Sequence, residues 1–201
     1  MKIFFILTLW LWSGIAGPPS VAGEARVRYR VTGLFQPDRV DAFRSLAGTI
    51  RAGEGETAAD LTLVDLDYDK AEATYVYNPD ARGFKNRSPD QIRDRVDQLV
   101  RNASRGTFSV LPIQDVPTDR LRDIEIRVAG LDCKGCAFGA YRVLVKIDGV
   151  ERATVSFRTG IVTARIDSSR TNREALVAAL KKAEVDVLAS PPDSTAKPSR
   201  E

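Results

Sequence analysis

The chain of 201 residues contains no histidine, only two cysteines, and a single methionine at position 1. The missing imidazole excludes a Ser-His-Asp triad, a Cys-His nucleophile pair and every His-ligated metal site. Any soft-metal or thiol chemistry must therefore sit on Cys133 and Cys136, spaced as Cys-x-x-Cys. An excess of one charge is also lacking. Thirty Lys and Arg face 27 Asp and Glu, and the net +3 is too small and too spread to suggest nucleic acid as a partner. With 43% apolar and 28% charged residues, the chain is neither a disordered polyelectrolyte nor a multi-span membrane protein. No acid-base pair or phosphate-cradling loop stands out, and the chain reads as a non-enzyme.

No apolar run reaches the ~20 residues that span a bilayer. The longest, Ile3 to Trp12, follows one early Lys and leads into small residues at Ser20-Val21-Ala22. That order reads as a secretory signal peptide over residues 1–23, cut after Ala22 or Gly23. An uncleaved N-terminal anchor is the alternative. The expectation is an exported protein, periplasmic or secreted, whose mature part has no stable membrane insertion. Its thiols would face an oxidising compartment.

Two units follow, residues 24–112 and 123–190, joined by a Pro-containing linker over 113–122. A polar tail over 191–201 is expected to be disordered. In the second unit, Ile124, Ile126 and Val128 alternate with polar residues as a half-buried strand. A cysteine-bearing loop opens at Gly130. Ala140, Val143, Leu144 and Ile147 then share a helical face that ends at Asp148-Gly149. Val155 and Phe157, then Val162, Ala164 and Ile166, alternate as a hairpin turned at Thr159-Gly160. Thr171-Asn172-Arg173-Glu174 reads as a capping box for a helix carrying Leu176, Leu180 and Ala183. Val185 to Val187 is a short last strand.

The first unit repeats the βαββαβ order, with strands at Val27 to Val31, Leu61 to Asp67, Ala73 to Tyr77 and Thr107 to Leu111. One helix runs behind Pro37 (Val40, Phe43, Leu46 or Ala47). A second, behind the capping box Ser88 to Gln91, carries Ile92, Val96, Leu99 and Ala103. Tyr29, Tyr68, Tyr75 and Tyr77 read as sheet packing. The predicted fold is α+β: two tandem ferredoxin-like units, each a four-stranded antiparallel sheet with two helices on one face. An offset of 97 aligns Gly33-Leu34 with Gly130-Leu131, which sets Gln36 against Cys133 and Arg39 against Cys136. The first copy is thus degenerate, without thiols, and its longer connections lie at Thr49 to Ala59 and Asn78 to Arg87. It is expected to fold alone, to bind no metal, and to offer those connections to a docking partner.

The loop Gly130-Leu131-Asp132-Cys133-Lys134-Gly135-Cys136 places one thiol before a helix and the other in its first turn. Helix N-terminal amides favour thiolate there, and Gly135 leaves the backbone free to bend. With no His and no second thiol pair, one chain cannot close a four-ligand site. Two thiolates suit one soft ion, Cu(I) or Hg(II). Asp132 can add an oxygen and extend the range to Zn(II), Cd(II) or Pb(II). Two rival readings stay open: a protein-interaction module with a disulfide-locked or vestigial Cys-x-x-Cys, and a thiol-disulfide redox protein. The latter lacks the Pro-bearing loop that faces thioredoxin-like thiols, because no Pro occurs from Cys133 to Ser190.

The second unit resembles the heavy-metal-associated domain family over Asp123 to Leu188. Gly-Leu-Asp-Cys-Lys-Gly-Cys looks like the family's Gly-Met-x-Cys-x-x-Cys, and Asp148-Gly149-Val150-Glu151-Arg152-Ala153-Thr154-Val155 like its Pro-Gly-Val-x-x-Ala-x-Val. The resemblance implies a metal carrier, sequestering protein or sensor with Cys133 and Cys136 as ligands. It also implies a metal-exchanging protein partner such as a membrane metal transporter. Leu131 replaces the family Met conservatively. Val185 replaces a Tyr or Lys that would balance the bis-thiolate charge in many members. Asp132 resembles the Asp-Cys-x-x-Cys form of some zinc, cadmium and lead exporters.

Overall fold

The computed structural model describes residues 23–52 and 61–189. The expected signal peptide, the disordered tail and most of the connection at Thr49 to Ala59 lie outside the described residues. The elements run β1 (Ala25–Thr32), α1 (Arg39–Ala52), β2 (Leu61–Asp67), β3 (Glu72–Tyr77), α2 (Pro89–Ser104), β4 (Ser109–Leu111), β5 (Leu121–Ala129), α3 (Lys134–Leu144), β6 (Val150–Ser156), β7 (Ile161–Asp167), α4 (Arg173–Lys182) and β8 (Asp186–Val187). They form two four-stranded sheets, ordered β2-β3-β1-β4 and β6-β7-β5-β8, with every neighbour antiparallel. This is the expected pair of ferredoxin-like units. None of the described helices is long and apolar enough to cross a membrane.

Alternation sets the first core. Tyr29 and Val31 of β1 point inward with Ala73, Tyr75 and Tyr77 of β3, against Phe43 of α1 and Ile92, Val96 and Val100 of α2. The fully buried residue of the last turn of α2 is Val100, and Leu99 packs only partly. The strict period of β2 breaks at a bulge between Leu63 and Asp65, which turns Val64 to solvent at 48% exposure. The capping box of α2 forms as expected: Ser88 Oγ accepts from the Gln91 amide and Gln91 Oε1 accepts from the Ser88 amide. The connection Asn78 to Arg87 is not a free loop. Phe84 is buried with its ring 4.8 Å from Tyr77.

The second core joins Ile126 and Val128 of β5, Val155 of β6, and Val162, Ala164 and Ile166 of β7 to Leu144 of α3 and Leu176 and Leu180 of α4. Each of these Val, Leu and Ile side chains withdrawn from water contributes roughly 1.5–3 kcal/mol. Strand β5 starts at Leu121, inside the segment expected as linker. Ahead of it the Arg120 guanidinium pairs with the carboxylate of Asp167, which is 1% exposed, and holds that carboxyl down at about 2. Helix α3 ends at Leu144, earlier than Asp148-Gly149. Gly149, at φ +86°, makes the turn into β6.

The expected capping box of α4 fails as well. The N-cap of α4 is Asn172, whose side chain accepts from the Ala175 amide, and not Thr171. Glu174 then falls one residue short of the position that reaches back, so no capping box forms. The Thr171 hydroxyl is buried without a hydrogen-bond partner.

Candidate metal centre

The centre begins where β5 hands over to α3. Gly130 adopts φ +76°, a left-handed turn that swings the chain off the sheet, and Leu131 drops back into the core at 6% exposure. The next two residues are thereby forced outward. Asp132, Cys133, Lys134, Gly135 and Cys136 are all exposed, and both thiols are free. Cys133 is the N-cap of α3: its Sγ accepts from the Cys136 amide at 3.1 Å, as a capping oxygen would. Cys136 sits in the first helical turn. The spacing thus places both sulfurs over the positive end of a helix.

The two thiols are unequal. The thiol of Cys136 donates to Cys133, and its backbone amide does so as well; together they hold the Cys133 thiol below its ordinary pKa. The same contact pushes the Cys136 thiol up. Cys133 is accordingly the first thiolate, with Cys136 yielding its proton second. Gly135 is not required by the backbone. A Cβ there would lie 3.6 Å from Cys133 Sγ, which is ordinary contact. Among the described residues no three Cys, Asp or Glu side chains converge as a ready-made ion site. Asp132 is therefore the neighbour of a two-sulfur pair, without a third donor gathered beside it.

At the corresponding positions of the first unit stand Gln36, which is buried, and Arg39, which is half-buried. The Gln36 side chain donates to the Val155 carbonyl at 2.8 Å, while the Val155 amide donates to the Phe35 carbonyl at 3.0 Å. The Phe35 ring belongs to the second core, 5.5 Å from Phe138 and 5.6 Å from Tyr141. The Arg39 guanidinium lies over Phe35 and Phe108. Pro37 does not begin α1; it sits in the turn before it, its carbonyl accepting from the Val40 amide. Further contacts tie the units, among them Arg152 of the second over the Tyr68 ring of the first at 4.4 Å. Arg30 donates to the Val150 and Glu151 carbonyls and pairs with the Glu151 carboxylate at 2.8 Å. The Gly33 amide donates to the Tyr141 hydroxyl at 2.7 Å. Asp38 pairs with Lys134, inside the Cys-x-x-Cys itself, at 2.5 Å.

Sequence periodicity did not single out Tyr141 or Phe35. Tyr141 shares the Ala137-Leu144 face of α3, so helical spacing was a usable signal for its burial. No pattern within a loop signals that Phe35 fills another unit's core.

The heavy-metal-associated domain family model matches residues 125–186. Heavy metal-associated isoprenylated plant protein 31 of Arabidopsis thaliana is 50% identical over 42 residues, which is 21% of this chain and 30% of that protein. This chain thus spans under a third of that relative's length. Among solved structures, oxidized MerP from Ralstonia metallidurans CH34 is 22% identical, with 34% of this chain and 94% of that one covered at a TM-score of 0.33. The N-terminal soluble domains of Bacillus subtilis CopA are 15% identical, with 84% and 95% covered at a TM-score of 0.32. Together with the βαββαβ order and the Cys-x-x-Cys at the head of α3, the family match makes residues 125–186 of this chain a heavy-metal-associated domain.

Proposed function

We propose that the chain is an exported heavy-metal carrier that holds one ion between Cys133 and Cys136 and passes it to a protein partner. The observation that carries this reading is the pair of free, exposed thiols at one helix N-terminus, with Cys133 already accepting the Cys136 amide. Binding begins at the Cys133 thiolate, the lower of the two pKa values. The Cys136 proton leaves as the second sulfur closes on the ion, so loading releases protons and strengthens with pH. Two protein donors leave the coordination sphere open. A partner's thiolate can enter before the first one departs, which is the requirement for transfer without release of the free ion. Soft Cu(I) or Hg(II) suits two sulfurs best; Zn(II) or Cd(II) would draw on Asp132 as a further oxygen. The apolar leader at Ile3 to Trp12 motivates export, and a membrane metal transporter is the fitting partner.

Titration of the reduced protein should give about one Cu(I) per chain. Cys133→Ser and Cys136→Ser should each remove tight binding. Tight Cu(I) retained by the double serine variant defeats the site assignment. In the same titrations, Asp132→Ala should weaken Zn(II) and Cd(II) well beyond Cu(I); an equal effect on all three makes Asp132 a bystander. The carrier reading requires both cysteines to be kept reduced in a compartment that favours disulfides, and a free-thiol count on exported material that finds them joined defeats it.

A further inference from the structure

The first unit reaches the metal loop through one ion pair. The Lys134 ammonium, on the residue between the two cysteines' flanks, lies 2.5 Å from Asp38, with the two side chains 58% and 46% exposed. Asp38 does not arrive there on a loose loop. Phe35 is anchored in the second core, Gln36 and the Phe35 carbonyl clamp both polar groups of Val155 on the edge strand β6, and Pro37 fixes the turn that follows. The docked loop from Phe35 to Asp38 faces Lys134 across a cleft of about 510 Å³, whose remaining wall is Tyr68 and the end of β6 continuing to a second cation, Arg158.

A charge count gives this pair a consequence. Two thiolates with the Asp132 carboxylate beside them carry a net −2 around a monovalent ion and −1 around a divalent one. A free ammonium beside the loop would therefore stabilise the monovalent complex more than the divalent one. Paired with Asp38, Lys134 contributes no net charge, and Asp132 remains as an unbalanced anion next to Cys133. Resting on the reading of Cys133 and Cys136 as ligands, we propose that Asp38 of the first unit is a metal-selectivity determinant of the second unit's site. By neutralising Lys134 across the interface, it disfavours monovalent ions relative to divalent ones. The thiol-free first unit would then set what the second unit carries, without touching the ion.

The test uses the reduced full chain, titrated with Cu(I) and with Zn(II) in competition with chromophoric chelators. The variants are Asp38→Asn, Asp38→Glu, Lys134→Gln and the double Asp38→Asn/Lys134→Gln. Asp38→Asn should tighten Cu(I) over Zn(II) by about two- to fivefold, the range of exposed ion pairs. Asp38→Glu should restore the wild-type ratio. The gain should vanish in the Lys134→Gln background, and at ~1 M salt, where screening acts within about 3 Å. Hydrogen exchange at the Val155 amide, which the Phe35 carbonyl protects, reports whether the units stay docked. An unchanged ratio overturns the proposal, as does a gain that persists without the Lys134 charge or that appears only with loss of Val155 protection. Tight Cu(I) binding by the double cysteine-to-serine chain overturns instead the ligand reading beneath it, whatever the Asp38 variants do.

Discussion

The loops Gly33 to Arg39 and Gly130 to Cys136 start alike and end differently. Each opens on a glycine with positive φ, +97° and +76°, followed by a buried leucine, Leu34 or Leu131. Past that point the second loop leaves Asp132 to Cys136 exposed, and the Cys133 sulfur finds its partner within its own loop, in the Cys136 amide. The first loop turns inward instead. Its Phe35 fills the neighbour's core, Gln36 completes the neighbour's edge strand, and Arg39 stacks on two rings. The positions that hold thiols in one copy hold docking contacts in the other. Where the second unit carries its thiols the first carries an interface, which also covers part of β6, an edge otherwise open to strand addition.

The sharpest way to break that comparison is Phe35→Ala. Emptying an aromatic from a packed core costs about 3–5 kcal/mol. Here the loss should fall on the second unit although the substitution lies in the first. Hydrogen exchange at Ala140 and Leu144 of α3 should accelerate, and the denaturant midpoint reported by the second unit should drop. A midpoint change confined to the first unit would mean that Phe35 is not part of the second core in solution.

The two sheets, the helix stripes and the cysteine loop were legible in the sequence because each follows from a short-range rule. Alternation gave Tyr29, Val31, Ile126 and Val128 their inward faces, and the Ser88 to Gln91 box announced α2. What escaped depended on distant partners. The burial of Phe35, the hydrogen bond to Tyr141 and the Asp38–Lys134 pair join residues about a hundred positions apart, and no periodicity encodes them. The charge and glycine of the connection Asn78 to Arg87 signal an exposed loop, and they do not signal that Phe84 anchors it on Tyr77. The expectation that residues 24–112 stand alone likewise met an interface that composition could not announce. At the candidate metal centre, the two thiols were legible from scarcity, since the sequence holds no other cysteine. The inequality of the two thiols was not, because it rests on the Cys136 amide and thiol both pointing at Cys133.

The paired glycines sharpen the comparison next. A Cβ on Gly33 would lie 2.5 Å from the Thr107 carbonyl oxygen and 2.6 Å from the Phe108 ring, a clash with backbone that cannot yield cheaply. On Gly130 the nearest atom would be an Asp186 carboxylate oxygen at 3.7 Å. Gly33→Ala should therefore cost about 3 kcal/mol, combining strain and collision. Gly130→Ala should cost about 1–2 kcal/mol from the left-handed backbone alone. Urea unfolding of the two variants checks the difference, and equal losses would show that the first loop is no more tightly seated than the second.

The smallest effects separate the two units' second helices. Helix α2 is closed by a reciprocal Ser88–Gln91 box, whereas α4 has only the single bond from Asn172 to the Ala175 amide. Asn172→Ala should cost about 1 kcal/mol, the usual value of a lost N-cap. Thr171 precedes it with a hydroxyl that is buried and unpartnered. Removing a buried polar atom that makes no bond relieves desolvation, and valine keeps the shape, so Thr171→Val should be neutral or slightly stabilising. If Thr171 were instead the cap, as its place in the run Thr171 to Glu174 suggests, the order would invert: Thr171→Val would lose about 1 kcal/mol and Asn172→Ala almost nothing. Denaturant midpoints of the two variants decide between these, because the two assignments make opposite rankings from a one-residue shift in where the helix begins.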